Sequence, residues 1–545
     1  MAVSHDTPAA CAAGDEEVRP YQIHVSSRYL DLTREKLELT RLPHEVTEPR
    51  AEDWWAPKTT VEPLIDYWQE QYSWRDTEKQ LNADLPQFRT GIRIGSSETP
   101  CRVHFVHVRS PHANAVPLLL IPPFPFTNLS LGHLVTLFTD PDDAGQTQPF
   151  HLVIPSLPGL GFSNALPNNT PLIPTTANMW DILMKRLEYE QYIATTSGPC
   201  GKSPSEIDWR LANYLAANYS ESCLGVHLIS PPLTPPTLQE SLVEWAKWKM
   251  ALLFQVALFG YSKDDFTAWN SNGMAQPVEG TSTAAALHFG LRNDGFYDPN
   301  TLSYALCDSP VGLLLFFLLL TRMLGPRKEL AQAEIITLTE LTWLPGPEAT
   351  FRFWAYCSAH REQHKARSHV KPKIAVTVFL GDRTTAPVAD EQVENLPQPI
   401  RDTYAPPTWA TVRYNVVSTS RESGNPGLLA WERPELIVSG ARKLAKEILK
   451  TDARMRKEEL PGIALLQQVV VGNERATADI SGTTVQGPIR SSSDVQADAA
   501  KKIPSNPDNK FLSPTQALAE PRESDASGGS PQIKVSQASE TGETL

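Results

Sequence analysis

YIATTSGPCGKSPSEIDWR, residues 192–210, joins a β-rich run to a helical one, and the content of that join decides what kind of sheet the chain builds. SGPCGKS has the look of a phosphate-binding loop. Such a loop needs G-x-x-x-x-G-K-[ST], with glycines that let the backbone approach phosphate and a lysine that reaches it. Gly201-Lys202-Ser203 fit that pattern, but the leading position is Thr196, Pro199 removes an amide and Pro204 follows Ser203. No acidic magnesium strand follows, so no nucleotide is expected. The other reading is a strand-to-helix elbow of the kind that presents a nucleophile; G-x-S-x-G is absent, so a serine nucleophile has no support.

Outward from the join, short β-rich runs occur at 103–108 (VHFVHV), 117–122, 150–159, 191–196, 224–230, 373–382 and 412–417. Helical patterns lie between them, such as 175–190 and 209–222. Continuous apolar strands alternating with amphipathic helices predict a largely parallel sheet covered on both faces, an α/β fold. From about 240 to 369 the pattern is mostly helical and then returns to strands, the outline of a core with a lid. The most apolar run, VGLLLFFLLLTRMLG (311–325), is too short to span a bilayer and reads as a buried lid or core helix. Residues 1–19 and 455–545 lack sustained apolar periodicity and are expected to be disordered.

The chain carries 49 Lys+Arg against 62 Asp+Glu, a formal charge of −13, which argues against nucleic acid or an anionic membrane as the main partner, since both need a basic surface. The start lacks a basic segment followed by an apolar run, so a cytoplasmic location without a transmembrane anchor is the expectation. The six cysteines are scattered without CxxC or metal-ligand spacing and read as free thiols; neither metal nor cofactor is expected. His104 and His107, taken together on one strand face, suggest a metal pair, but structural histidines are the stronger reading.

PYQIHVSSRYLDLTREKLELTRLPHE (20–45), DYWQEQYSWRDTEKQLNADLPQFRT (66–90), IPSLPGLGFSNALP (154–167), YLAANYSESCLGVHLIS (214–230), TLSYALCDSPVGLL (301–314) and WERPELIV (431–438) stand in an order that resembles the microsomal-type epoxide hydrolases. These are α/β-hydrolases preceded by a characteristic N-terminal domain. The likeness covers roughly residues 20–450 and implies an N-terminal domain at 20–108, a core at 109–239 and 370–454, and a helical cap at 240–369. It also implies a mechanism. An Asp on the elbow attacks an epoxide carbon while two cap tyrosines protonate the oxygen. A His oriented by an acid then activates water, and backbone N–H groups hold the oxyanion.

Several of those parts are missing or altered. The base position in GNPGLLAWERPE (424–435) is Gly427, and the last His of the chain is His369. The oxyanion turn reads PPFPF, leaving the Phe124 backbone N–H as donor between prolines. Counting forward from the strand puts the nucleophile at Gly198; counting back from GVHL puts it at Glu206, so the elbow holds an insertion. Glu206 is a candidate nucleophile or simply an acid at a helix start, with Asp208 behind it. Asp382 falls at the charge-relay position. Tyr297 is the nearest candidate for the first cap donor, and Trp354 or Tyr356 for the second. Two readings stand: an epoxide-hydrolase-like protein whose catalytic set is lost or remodelled, keeping a lidded pocket for an apolar small molecule or a partner, or an active hydrolase converting an epoxide to a diol through an ester on Glu206. Oligomeric state is not legible.

Overall fold

The computed structural model describes residues 16–44, 58–95, 99–167, 170–272, 299–324, 330–362, 371–381 and 404–455. Tyr297, Asp382, His369 and the C-terminal segment beyond 455 lie outside these. Nine strands form one sheet: β1 (Arg19–Pro20), β2 (Gln87–Ile92), β3 (Cys101–Val108), β4 (Val116–Ile121), β5 (Phe150–Pro155), β6 (Tyr192–Thr196), β7 (Cys223–Ile229), β8 (Lys373–Phe379) and β9 (Asn415–Glu422). Their order is β1-β2-β3-β5-β4-β6-β7-β8-β9. The first three pairings are antiparallel and all those from β5 onward are parallel. The central strands are apolar and buried end to end, as a sheet covered on both faces requires.

Helices α1 (Ser27–Glu38), α2 (Lys58–Glu70) and α3 (Trp74–Asp84) precede β2. The sheet is covered by α4 (Val135–Thr139), α5 (Leu172–Arg186), α6 (Ile207–Asn218), α13 (Leu429–Glu432) and α14 (Pro434–Thr451). Between β7 and β8 come α7 (Leu242–Phe254), α8 (Lys263–Asn272), α9 (Pro299–Asp308), α10 (Pro310–Leu324), α11 (Gln332–Trp343) and α12 (Glu348–Ala359). The apolar run, as far as Leu324, lies in α10, with Leu313, Leu314 and Phe317 buried. α14 shows why these helices form: Ile437, Val438, Ala441, Leu444, Ala445 and Ile448 recur at helical spacing and all are buried.

The N-terminal helices clamp this lid. Trp68 Nε1 donates to Glu340 Oε1 at 2.6 Å, Tyr72 and Thr337 share a hydrogen bond at 3.0 Å, and Trp343 Nε1 donates to Thr33 Oγ1 at 2.8 Å. Burial pushes the Glu340 carboxyl up to about 7. On the far side, buried Asp265 of α8 accepts from Arg421 of β9 at 2.7 and 2.9 Å.

The histidines of β3 correct the sequence reading. Three residues apart on a strand, they point to opposite faces. His104 bonds Gln87 at 3.0 Å and His107 bonds Tyr189 at 3.0 Å, and burial pulls them down to about 3 and about 4 respectively. They are neutral structural groups. Among the described residues no cluster of His, Cys, Asp and Glu has the arrangement to hold a metal, and Cys101, Cys200, Cys223, Cys307 and Cys357 are free thiols.

His227 of β7 is fully buried, held by Thr195 at 2.8 Å and Thr377 at 2.9 Å, and α14 crosses directly above it at Gly440. A Cβ at Gly440 stands 2.1 Å from the imidazole Cε1. Gly440→Ala is therefore expected to destabilise by about 3 kcal/mol, read as a lower urea midpoint at unchanged slope. A midpoint within error of wild type contradicts this packing.

Candidate active site

The join between β6 and α6 is neither a phosphate cradle nor a simple elbow. After Thr196 the chain makes two 3-10 turns, Cys200–Lys202 and Pro204–Glu206, before α6 begins. This is the insertion that the two counts disagreed over. The amides of the loop are spent within the protein: Lys202 N–H donates to Pro199 O at 2.9 Å, Gly201 N–H to Ser230 O at 2.9 Å and Ser203 N–H to Cys200 O at 3.4 Å. Amides so engaged are not free to cradle a phosphate. Cys200 lies buried against Thr196, and burial pushes its thiol up to about 12, so it is no nucleophile.

At Gly198, the forward-counted nucleophile position, a Cβ stands 2.9 Å from the Cβ of Pro123. The oxyanion turn has closed onto the elbow, leaving no room there for a side chain. The backbone strain of the join sits further on, at Ser205 (φ +51°) and Glu206 (φ +56°). Two successive non-glycine residues in the left-handed region cost energy that the surroundings must offset.

Those surroundings are the end of the lid. Arg210, in the first turns of α6, is 1% exposed. Its guanidinium donates to the carbonyls of Ser205 (3.3 Å), Cys357 (2.6 Å) and His360 (2.6 Å), and to both oxygens of Glu362, with Nε to Oε2 at 2.9 Å. A second pair runs the opposite way: Arg361 donates to Glu206 Oε2 at 2.8 Å. Trp354 Nε1 donates to Ser205 Oγ at 3.1 Å, and Ser205 shares a hydrogen bond with Ser358.

Glu206 therefore occupies the N-cap position of α6, but its side chain bonds no helix N–H and turns to the lid arginine. Asp208 goes inward instead. It is 2% exposed, and its Oδ1 accepts the Phe124 backbone N–H at 3.0 Å. Its own N–H donates to Ser203 Oγ at 3.4 Å. Burial pushes its carboxyl up to about 7, against the Phe124 N–H and Ser203, which pull it down. The donor assigned from sequence to an oxyanion is thus occupied by a carboxyl of the chain itself.

Above this point the contacts are aromatic. Phe124 meets Phe353 of α12 at 6.1 Å; Phe126 meets Phe317 of α10 at 5.7 Å and Trp431 of α13 at 5.1 Å. Of the candidate cap donors, Trp354 reaches the elbow and Tyr356 does not: the Tyr356 ring stacks on His360 at 4.2 Å, at the end of α12. Gly427 has φ +60°, and Leu428, Leu429 and Ala430 after it are buried. His133, on the turn before α4, bonds Ala430 O at 2.8 Å. Sequence reading missed Arg210, although its signal was present: an arginine three residues after Ile207 and four before Tyr214 stands in an apolar helical register.

Two outcomes test this geometry. Arg210→Ala leaves Glu362 and three carbonyls without their donor and is expected to cost about 3–5 kcal/mol. Arg361→Ala, whose side chain is half exposed, stays within about 1 kcal/mol; comparable losses from both in urea unfolding contradict the assignment. For Asp208 the sign follows from a folded pKa raised above the unfolded value of about 3.9. From about pH 4 to pH 7 the folded chain keeps a proton that the unfolded chain has released, so this group's contribution to stability falls as pH rises. Asp208→Asn removes that dependence while keeping an acceptor for Phe124, so its urea midpoint rises relative to wild type across this window and levels off above it. Parallel profiles count against a buried, proton-holding Asp208.

Comparison with known proteins agrees with this architecture. Residues 18–131 match the family model described as Epoxide hydrolase N terminus. A Stigmatella aurantiaca protein provisionally named an epoxide hydrolase is 27% identical over 447 residues, 79% of this chain and 85% of that one. Epoxide hydrolase 1 of Sus scrofa is 23% identical over 451 residues, 79% of this chain and 89% of its own length. Among solved structures, Aspergillus niger epoxide hydrolase superposes with a TM-score of 0.58 at 20% identity, covering 80% of this chain and 97% of that one. Juvenile hormone epoxide hydrolase from the silkworm Bombyx mori does so with a TM-score of 0.59 at 18% identity, covering 80% and 96%. The chain thus carries an epoxide hydrolase N-terminal domain at 18–131, has the α/β-hydrolase fold with a helical lid between β7 and β8, and is similar along most of its length to epoxide hydrolases.

Proposed function

We propose that this protein is an epoxide-hydrolase-like member of the fold that does not carry an epoxide through to a diol, and that its lid and elbow bind an apolar small molecule rather than transform it. The observation that carries the reading is the Asp208–Phe124 contact. Hydrolysis through an ester needs an ionised carboxylate, free donors for the developing oxyanion and a base for water. Here the remaining donor is held by Asp208, whose burial favours its neutral form. Gly427 stands at the base position, and no imidazole follows His369 in the sequence. The rings of Phe126, Phe317, Phe353 and Trp431, packed above the elbow, make the region beneath the lid apolar, which favours an apolar ligand there, and the names of the relatives bring epoxides forward as its class.

One observation favours a second reading. A carboxyl seated on the oxyanion donor is also where an attacking carboxylate waits, which makes Asp208 a better candidate than Glu206, tied to Arg361, for a retained first half-reaction. Purified protein incubated with styrene- and terpene-type epoxides separates the two. The expected result is no diol by chromatography, no epoxide-mass adduct on the intact protein, and a ligand-dependent rise in Tm for at least one epoxide or its apolar analogue. Diol or adduct that disappears in Asp208→Asn or Glu206→Gln overturns the non-catalytic reading.

A further inference from the structure

Glu340 of α11 stands where the lid meets the N-terminal helices, and only one of its oxygens is served. Oε1 accepts Trp68 Nε1 at 2.6 Å, whereas Oε2, also shut from water, meets no hydrogen-bond partner among the described residues. The residue is 3% exposed. An ionised carboxylate offers about four acceptor positions, and a buried one needs several donors or a cation to stay charged. One indole N–H does not meet that need. The contact is built for the neutral carboxyl.

Among the described residues, the helices packed against α11 bring no cation to this point. On α2, Asp66 and Glu70 are exposed and Glu62 pairs with Lys58 at 3.0 Å. On α3, Asp76, Lys79 and Asp84 are exposed, and buried Glu78 accepts from Trp74, Arg75 and the Val25 N–H. α10 has no ionisable residue from Pro310 to Thr321, and α1 reaches α11 through Thr33. Within α11 itself, Glu334 accepts the Ala331 N–H at 2.8 Å at the helix start. The titratable group that Glu340 does act on is the Tyr72 phenol, which shares a hydrogen bond with Thr337. Burial, and then the Glu340 charge, hold that phenol above the usual tyrosine range and so keep it neutral.

We propose that Glu340 works as a proton-operated latch between the N-terminal helices and the lid, closing on the neutral carboxyl and loosening when the proton leaves. The latch is independent of the chemistry beneath the lid. Burial holds the closed carboxyl up to about 7, while the Trp68 N–H pulls it down. In an opened latch water reaches the group, and it titrates near its ordinary value of about 4.3. Between these values the closed form keeps a proton that the open form has released. Opening therefore becomes about tenfold easier per pH unit across that window and levels off above it. Amide hydrogen exchange of the full-length chain reads the latch at α2 and α11, with exchange times scaled for the intrinsic pH dependence of amides. The slope is taken relative to α14, whose exchange reports unfolding of the sheet. Wild type is expected to lose on the order of a hundredfold in protection at α2 and α11 from about pH 5 to about pH 7, then to stay level. Glu340→Gln keeps an acceptor for Trp68 and cannot ionise, so its profile is flat. Trp68→Phe removes the donor that favours the charged form, so its slope ends at a higher pH; this variant decides the question if Glu340→Gln does not fold. A flat wild-type profile, a folded Glu340→Gln that slopes like wild type, or a Trp68→Phe slope ending at the same or a lower pH overturns the proposal.

Discussion

A guanidinium that is 1% exposed has to be supplied with acceptors from every direction, and that requirement on Arg210 organises the centre of this molecule. Three carbonyls and a carboxylate meet it, one from the elbow and the rest from the end of the lid. Because Ser205 O is among them, the same cation that anchors the lid also holds the strained left-handed pair at Ser205 and Glu206. Opening the lid away from the elbow would strand a buried charge, at a cost of about 3–5 kcal/mol. The half-exposed Arg361–Glu206 pair beside it adds direction to the contact but little energy.

The elbow is therefore a structural joint. In the mechanism implied by family resemblance, a carboxylate, a pair of backbone donors and an imidazole converge on one point. In this chain Pro123 closes against Gly198 and a longer loop carries the acids onto α6. The two acids then take different partners: Glu206 meets the lid's arginine, while Asp208 reaches back to Phe124. The space above is shared among rings from the turn, α10, α12 and α13. Together these contacts surround the join with packed apolar rings and leave two buried acids, Glu206 and Asp208, held by different partners.

The large-scale plan was legible because it rests on patterns that repeat. Continuous apolar strands, α14's buried stripe and the apolar run of α10 carry their burial in their own composition. The shift in β9, expected at 412–417 and found at Asn415–Glu422, shows where this fails: a polar edge strand has no apolar run to mark it. His104 and His107, three residues apart on β3, face opposite ways, and each is held by its own partner, Gln87 and Tyr189.

By itself, the sequence determined the α/β class, the interruption of the sheet by a helical segment and the unusual length of the elbow. All of these are matters of composition, period or order along the chain. Only the tertiary structure decided where the acids of 192–210 point, that Phe124's N–H is taken by Asp208, that Trp354 and not Tyr356 touches the elbow, and that Arg210 is the buried tie between elbow and lid. Those outcomes depend on contacts between segments some 80 to 150 residues apart along the chain. Sequence spacing places a side chain on a helix; which of several neighbouring acids is drawn inward is settled by what the rest of the fold brings to meet it.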